Sequence, residues 1–128
     1  MGRIIASVAI VNLLDTSKRL RFDALVDTGA SHLVLPKIWR ERFGALPVAR
    51  FERVKFGALS VANVEICGPV KIQIEGFRPI CGEVVFFDMP SETGSVEPLL
   101  GSLPLVASQA GVDATGNRLS RVNYLDLK

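Results

Sequence analysis

The stretch with most chemical promise is Ala24-Leu25-Val26-Asp27-Thr28-Gly29-Ala30-Ser31, where an apolar run leads straight into a carboxylate, a hydroxyl and a glycine. A carboxylate at the end of a strand can take a proton from a bound water. The ordinary explanation is an Asx turn, since Asp bonds its own backbone in turns and Gly supplies a permissive φ. The flanks sharpen the signal. At average residue usage, Asp-Thr-Gly followed by Ala or Ser arises by chance in roughly 0.004 chains of this length. Other chemistries lack parts: with 1 His and 2 Cys in 128 residues, neither a four-ligand zinc site nor a His-based triad is easily assembled. No metal or cofactor is expected, and the chemistry falls to acids.

Asp27-Thr28-Gly29-Ala30, with the apolar residues before it and Leu33-Val34-Leu35-Pro36 after it, resembles the signature of the retroviral-type (retropepsin-like) aspartic proteases. Leu99-Leu100-Gly101, just before a helix expected from Leu103, is similar to that family's second motif. Many viral members carry Arg after this second Gly, whereas Ser102 stands here. A bacterial-type single-domain member is therefore the better match. The resemblance implies an all-β (mainly β) fold, a closed acid-protease barrel with one or two short helices spanning residues 1–128 as a single domain. It assigns Asp27 as the catalytic acid. Thr28 becomes a hydrogen-bond clasp between two loops, Gly29 lets backbone approach the substrate, and Ala30 takes little space. A flap hairpin is expected between the motifs, from Val54 to Ile66. An extended peptide or protein substrate would lie under it, with Leu25, Leu59, Val61 and Leu100 lining its pockets.

Peptide-bond hydrolysis by this route needs two carboxylates around one water. One accepts the water's proton and the other hydrogen-bonds to the scissile carbonyl. Held about 3 Å apart they cannot both ionise, so the pair carries one proton at mildly acidic pH. This chain has a single Asp-Thr-Gly. Asp113-Ala114-Thr115-Gly116 is interrupted by Ala114 and followed by Asn117, which reads as a hairpin turn. The second carboxylate must then come from a second copy, which predicts a homodimer with both Asp27 side chains on its two-fold axis. Gly2–Ala6 and Arg118–Leu127 are the candidate strands for an intersubunit sheet. The leading expectation is a homodimeric aspartic endopeptidase. The alternative is a non-catalytic protease-fold module that dimerises and binds extended peptides. A third reading is a small β-barrel whose Asp-Thr-Gly is a chance turn.

The elements that position these residues are mostly strands. Leu20, Phe22, Ala24 and Val26 alternate with Arg19, Arg21, Asp23 and Leu25, as a half-buried strand requires. Asp15-Thr16-Ser17-Lys18 carries turn chemistry, so Ile4–Leu14 and Arg19–Val26 are predicted to form an antiparallel hairpin. Val70, Ile72 and Ile74 alternate with Lys71, Gln73 and Glu75, and Glu83-Val84-Val85-Phe86-Phe87 reads as a strand buried on both faces. One short helix is predicted to open at Pro36, presenting Ile38, Trp39 and Phe43 before Gly44 stops it, with Trp39 as core anchor. Another is predicted from Ser102 as N-cap, with Leu103, Val106, Ala107 and Ala110 as its apolar stripe and Gly111 as its stop. Ser91 to Ser95 is expected to be an exposed loop.

Composition bounds the partners. The hydrophobic share is 48% against 22% charged, which excludes disordered and coiled-coil classes. A net charge of +2 is too small for the basic surface that binds nucleic acid. Cys67 and Cys81 are either a cross-strand pair or free thiols, the latter being commoner in a chain of this size. The apolar opening Ile4–Leu14 is interrupted by Ser7 and Asn12, so it reads as a strand and not a signal peptide. No run approaches the ~18 apolar residues that cross a bilayer. No membrane partner is expected, and the cytoplasm is the expected location.

Overall fold

The computed structural model describes residues 3–56, 60–88 and 97–123, without the side chains of 48–50, 54–56 and 60–63. The chain is mainly β. Its first two strands, β1 (Ile5–Asn12) and β2 (Arg19–Val26), pair antiparallel as the turn chemistry of Asp15–Lys18 predicts, with Val8 opposite Phe22. Ala24 is buried, while Leu20, Phe22 and Val26 pack against the core from partly buried positions. The arginines and Asp23 face water on the other side.

After the loop bearing Asp27 come β3 (Leu33–Pro36), β4 (Val48–Phe56), β5 (Ser60–Ile74), β6 (Ile80–Phe87) and the two-residue β7 (Leu99–Leu100). These strands form one sheet in the order β1-β2-β7-β3-β6-β5-β4. β5 pairs with β1 as well, so the pairings run back to their starting strand. The 15-residue β5 manages this by changing partners along its length. Ser60–Cys67 lies against β4, and Val70–Ile74 lies against β1. The switch falls at Gly68-Pro69, where the β6 register also shifts. Pro has no N–H to give a ladder, so such a break is where it is tolerated.

The interior is filled by Val8, Ile10, Leu33, Leu35, Val70, Ile72, Ile74, Val84 and Leu100, each at most 1% exposed. β6 is buried on both faces, as its unbroken apolar run predicts: Val84 and Phe86 join this core, while Val85 packs with Val64 and Ile66 on the other side. Asn12 is the one fully buried polar side chain among the described residues. It is fully engaged, its amide donating to the carbonyls of Phe43 and Ala45 at 3.1 and 3.0 Å. Its oxygen accepts from the backbone N–H groups of Leu14 and Asp15.

Both helix expectations need correction. The segment after Pro36 makes two separate 3-10 turns, Lys37–Trp39 and Glu41–Phe43, and no α-helix. Ile38 is exposed, Trp39 is only partly buried, and the anchor is Phe43, which is completely buried. Trp39 sits between Phe22, edge-to-face at 5.5 Å, and the Arg42 guanidinium. The second helix, α1 (Ser102–Ala107), exists but is capped by Gly101 and not by the Ser102 side chain. Its buried residues are Pro104 and Leu105, whereas Leu103 and Val106 of the predicted stripe are more than half exposed. It stops at Gln109, which turns left-handed at φ 58°, so Ala110 and Gly111 belong to a strand.

That strand, β8 (Ala110–Asp113), forms a hairpin with β9 (Arg118–Arg121). Asp113 Oδ1 accepts the Gly116 N–H at 3.0 Å and Asn117 is left-handed, as a tight turn requires. The Asp113 segment is therefore a turn. Arg118–Arg121 pairs within its own chain, and Ile5 and Ala6 pair with β2, while residues 124–127 lie outside the described residues. Ser91–Ser95 also lies outside them. Cys67 faces Val84 across the ladder, not Cys81, and both thiols are free. Burial pushes the Cys67 thiol above its ordinary pKa. Among the described residues, no helix is long and apolar enough to cross a membrane.

Candidate active site

Asp27 directly follows β2, whose last residues Leu25 and Val26 run parallel to Leu99 and Leu100 of β7. The ladder carries on into the acid itself. The Asp27 N–H donates to the Leu100 carbonyl at 3.0 Å, and the Leu25 N–H to the Pro98 carbonyl at 2.9 Å. The strand end that presents the carboxylate is thus fixed by the second motif. β7 also pairs antiparallel with β3, so this short strand is clamped between the segments entering and leaving the acid loop.

Within the loop the chain folds back on Asp27. The Gly29 N–H donates to Oδ1 at 3.0 Å, and the Ala30 N–H to the Asp27 carbonyl at 3.1 Å. Here the Asx turn and the acid motif coincide: the turn bond orients the carboxylate by occupying one of its oxygens. Oδ2 takes no hydrogen bond among the described residues. The side chain is half-buried, with Thr28 and Gly29 exposed beside it.

The far side of the loop is held by the start of α1. Gly101, Ser102 and Leu103 donate their N–H groups to the carbonyls of His32, Ala30 and Ser31 at 3.1, 2.8 and 2.9 Å. This approach is why residue 101 is glycine. A Cβ there would stand 2.5 Å from the His32 carbonyl oxygen and 2.6 Å from that of Ala30. Both are main-chain atoms already engaged in this bonding, and neither can swing aside. Leu99-Leu100-Gly101 and Asp27-Thr28-Gly29 are therefore two halves of one support.

Two side chains next to the loop add a polar strut that the motif does not announce. Ser31 Oγ is hydrogen-bonded to His32 Nδ1 at 2.7 Å, and His32 Nε2 stands 3.8 Å from a carboxylate oxygen of Glu83 on β6. The adjacency of Ser and His was the only signal in the sequence, and nothing there pointed to Glu83. His32 is part of the packing around the loop and directs no bond at Asp27.

The expected pocket residues are scattered. Leu25 is half-buried next to Asp27, whereas Leu100 is completely buried in the core. Leu59 lies outside the described residues, and Val61 is placed by backbone alone, opposite Lys55. Of the expected flap region from Val54 to Ile66, residues 57–59 lie outside the described residues, and the strands on either side pair antiparallel, Val54 opposite Ala62 and Phe56 opposite Ser60. Compared with known proteins, the chain matches no family model and no curated protein.

Proposed function

We propose that the chain is an aspartic endopeptidase of the retropepsin-like type, working as a homodimer in which each copy contributes one Asp27. One carboxylate accepts a proton from a water held between the pair as that water attacks the scissile carbonyl carbon. The other, protonated, donates to the carbonyl oxygen as charge develops there. Collapse of the tetrahedral intermediate expels the amine, which takes up a proton, and the peptide bond is broken. Sharing one proton follows from the Coulomb cost of two adjacent charges.

The observation that carries this reading is the division of labour within the carboxylate: Oδ1 is tied to the Gly29 N–H, while Oδ2 is left to meet a water. An acid that served only to cap its strand would need no support from a second motif on β7 and α1. Further support comes from pairings that return from β5 to β1, as a closed acid-protease barrel needs. Exposed Thr28 and Gly29 at the loop tip suit contact with a second copy. The hairpin of β4 and β5 suits a flap over an extended peptide or protein.

The test is cleavage of a denatured protein mixture at mildly acidic pH by wild type and Asp27→Asn. The amide keeps the carboxylate's size and can still accept the Gly29 bond, so folding is retained. Cleavage should fall by about 100-fold or more, the scale of a lost general base. Equal cleavage by the two proteins rejects the assignment. Stable binding of peptides with no cleavage by wild type supports the non-catalytic module.

A further inference from the structure

A cavity of about 440 Å³ lies away from the acid loop, between the turn joining β5 to β6, the end of α1 and the chain leaving β9. Its lining brings together Arg78 and Arg121 with Ser108, Gln109 and Phe77. No described lining residue carries a negative charge. Two arginines lining one hollow, with no acidic residue in its described lining, make the local potential positive.

The arginines are held in place by main chain. Arg78 donates from Nε and Nη2 to the Ala107 carbonyl at 3.1 and 2.8 Å, and Arg121 from Nη2 to the Gly76 carbonyl at 3.3 Å. The first pair of bonds also removes an acceptor at the end of α1, which would otherwise repel an anion. Each guanidinium retains further N–H donors. Gln109 is pinned by its own amide to the Val122 carbonyl at 3.1 Å, closing one wall.

Ser108 supplies the independent sign of a ligand. It is 2% exposed, yet its hydroxyl has no hydrogen-bond partner among the described residues. A buried hydroxyl left unsatisfied costs roughly 1–3 kcal/mol, and Ser108 lines the same cavity as the two arginines.

We propose that this cavity binds a small organic oxyanion, a carboxylate or phosphate with an apolar body. The guanidinium N–H donors left over from the main-chain bonds can pair with either group, the Ser108 hydroxyl donates to an oxygen, and Phe77 and Val122 meet the body. A bare ion would leave much of 440 Å³ unfilled.

Phenyl phosphate and benzoate, each titrated into the full chain at constant ionic strength with chloride as control, test this through the backbone amide resonances of Ser108 and Gln109. Saturable shifts are expected at a Kd on the order of 1 mM, as suits an open site with two charge-assisted contacts. Tighter binding of phenyl phosphate assigns the natural group as phosphate, and tighter binding of benzoate as carboxylate. Arg121→Gln and Ser108→Ala, each confirmed folded by its unfolding midpoint, should weaken the preferred probe, Arg121→Gln by about 10-fold. Linear shifts equal to those from chloride, or unchanged affinity in Arg121→Gln, overturn the proposal. Asp27→Asn should bind both probes as wild type does, which separates this site from the peptidase reading.

Discussion

The main-chain N–H of Asp27 donates to the carbonyl of Leu100 at 3.0 Å, joining two motifs that lie far apart in the sequence. The carboxylate is therefore positioned by β7 as well as by its own strand. Damage to either motif should reach the other.

Gly101→Ala tests that coupling. The added methyl meets the carbonyls of Ala30 and His32 at under 3 Å, and relieving it means pulling α1 off the acid loop. Urea unfolding should show a loss of about 1–3 kcal/mol, as overpacking against fixed neighbours produces. Peptidase activity should fall further than stability, because the bonds broken are those behind Asp27. Wild-type stability in this variant would mean that the loop contact is dispensable.

Mixing tests the borrowed carboxylate. If wild type and Asp27→Asn are unfolded together in equal amounts and refolded, random pairing leaves about one quarter of dimers with two carboxylates. Activity per wild-type chain should drop to about half. A competent single chain would keep its full activity per wild-type molecule.

Asn12 is the polar centre of a buried corner, and its hydrogen bonds tie the end of β1 to the 3-10 turn around Phe43. Asn12→Ala should cost about 2–3 kcal/mol in urea unfolding, because carbonyls and amides on both sides lose their partners. Asn12→Asp should fare no better, since a carboxylate cannot donate to the Phe43 and Ala45 carbonyls. A loss below about 0.5 kcal/mol would show that water replaces the side chain.

Acid sensitivity should reside partly in two turns. The Gly116 N–H holds the Asp113 carboxyl below its ordinary value of 3.8, and the Ser17 hydroxyl does the same for Asp15. A pKa lowered in the folded state gives stability that is fully present above the unfolded value. That stability fades as pH falls through the folded one. Asp113→Asn, which cannot ionise, should therefore lose less of its melting temperature than wild type as the pH is lowered from about 5 to about 2. Both groups are exposed, so the effect is small. Parallel acid slopes in the two proteins would remove Asp113 from the account.

The sequence revealed what local pattern controls. Alternation placed β2 and the second half of β5, an apolar run and the turn after it placed β1, and the run from Glu83 to Phe87 correctly signalled burial on both faces. The turn at Asp113 was legible because Gly116 and Asn117 carry its geometry. The short helical segments were misread because their burial is decided elsewhere. With only six residues, α1 has no stripe of its own, and its docking through Gly101 turns Leu105 inward and Leu103 and Val106 outward. At the candidate site, Asp27 and Leu99–Gly101 were visible as motifs. Glu83 was not, because it reaches His32 through the pairing of β3 with β6, a parallel contact that no local spacing encodes.

The change of partner at Gly68-Pro69 divides β5 mechanically. Ser60–Val64 is bonded to β4 alone, while Val70–Ile72 is gripped by β1 on one side and β6 on the other. Peeling β4 away would unzip a single seam and leave the loop of strands from β1 round to β5 stitched throughout. One continuous strand thus joins an arm held along a single seam to a wall held along two.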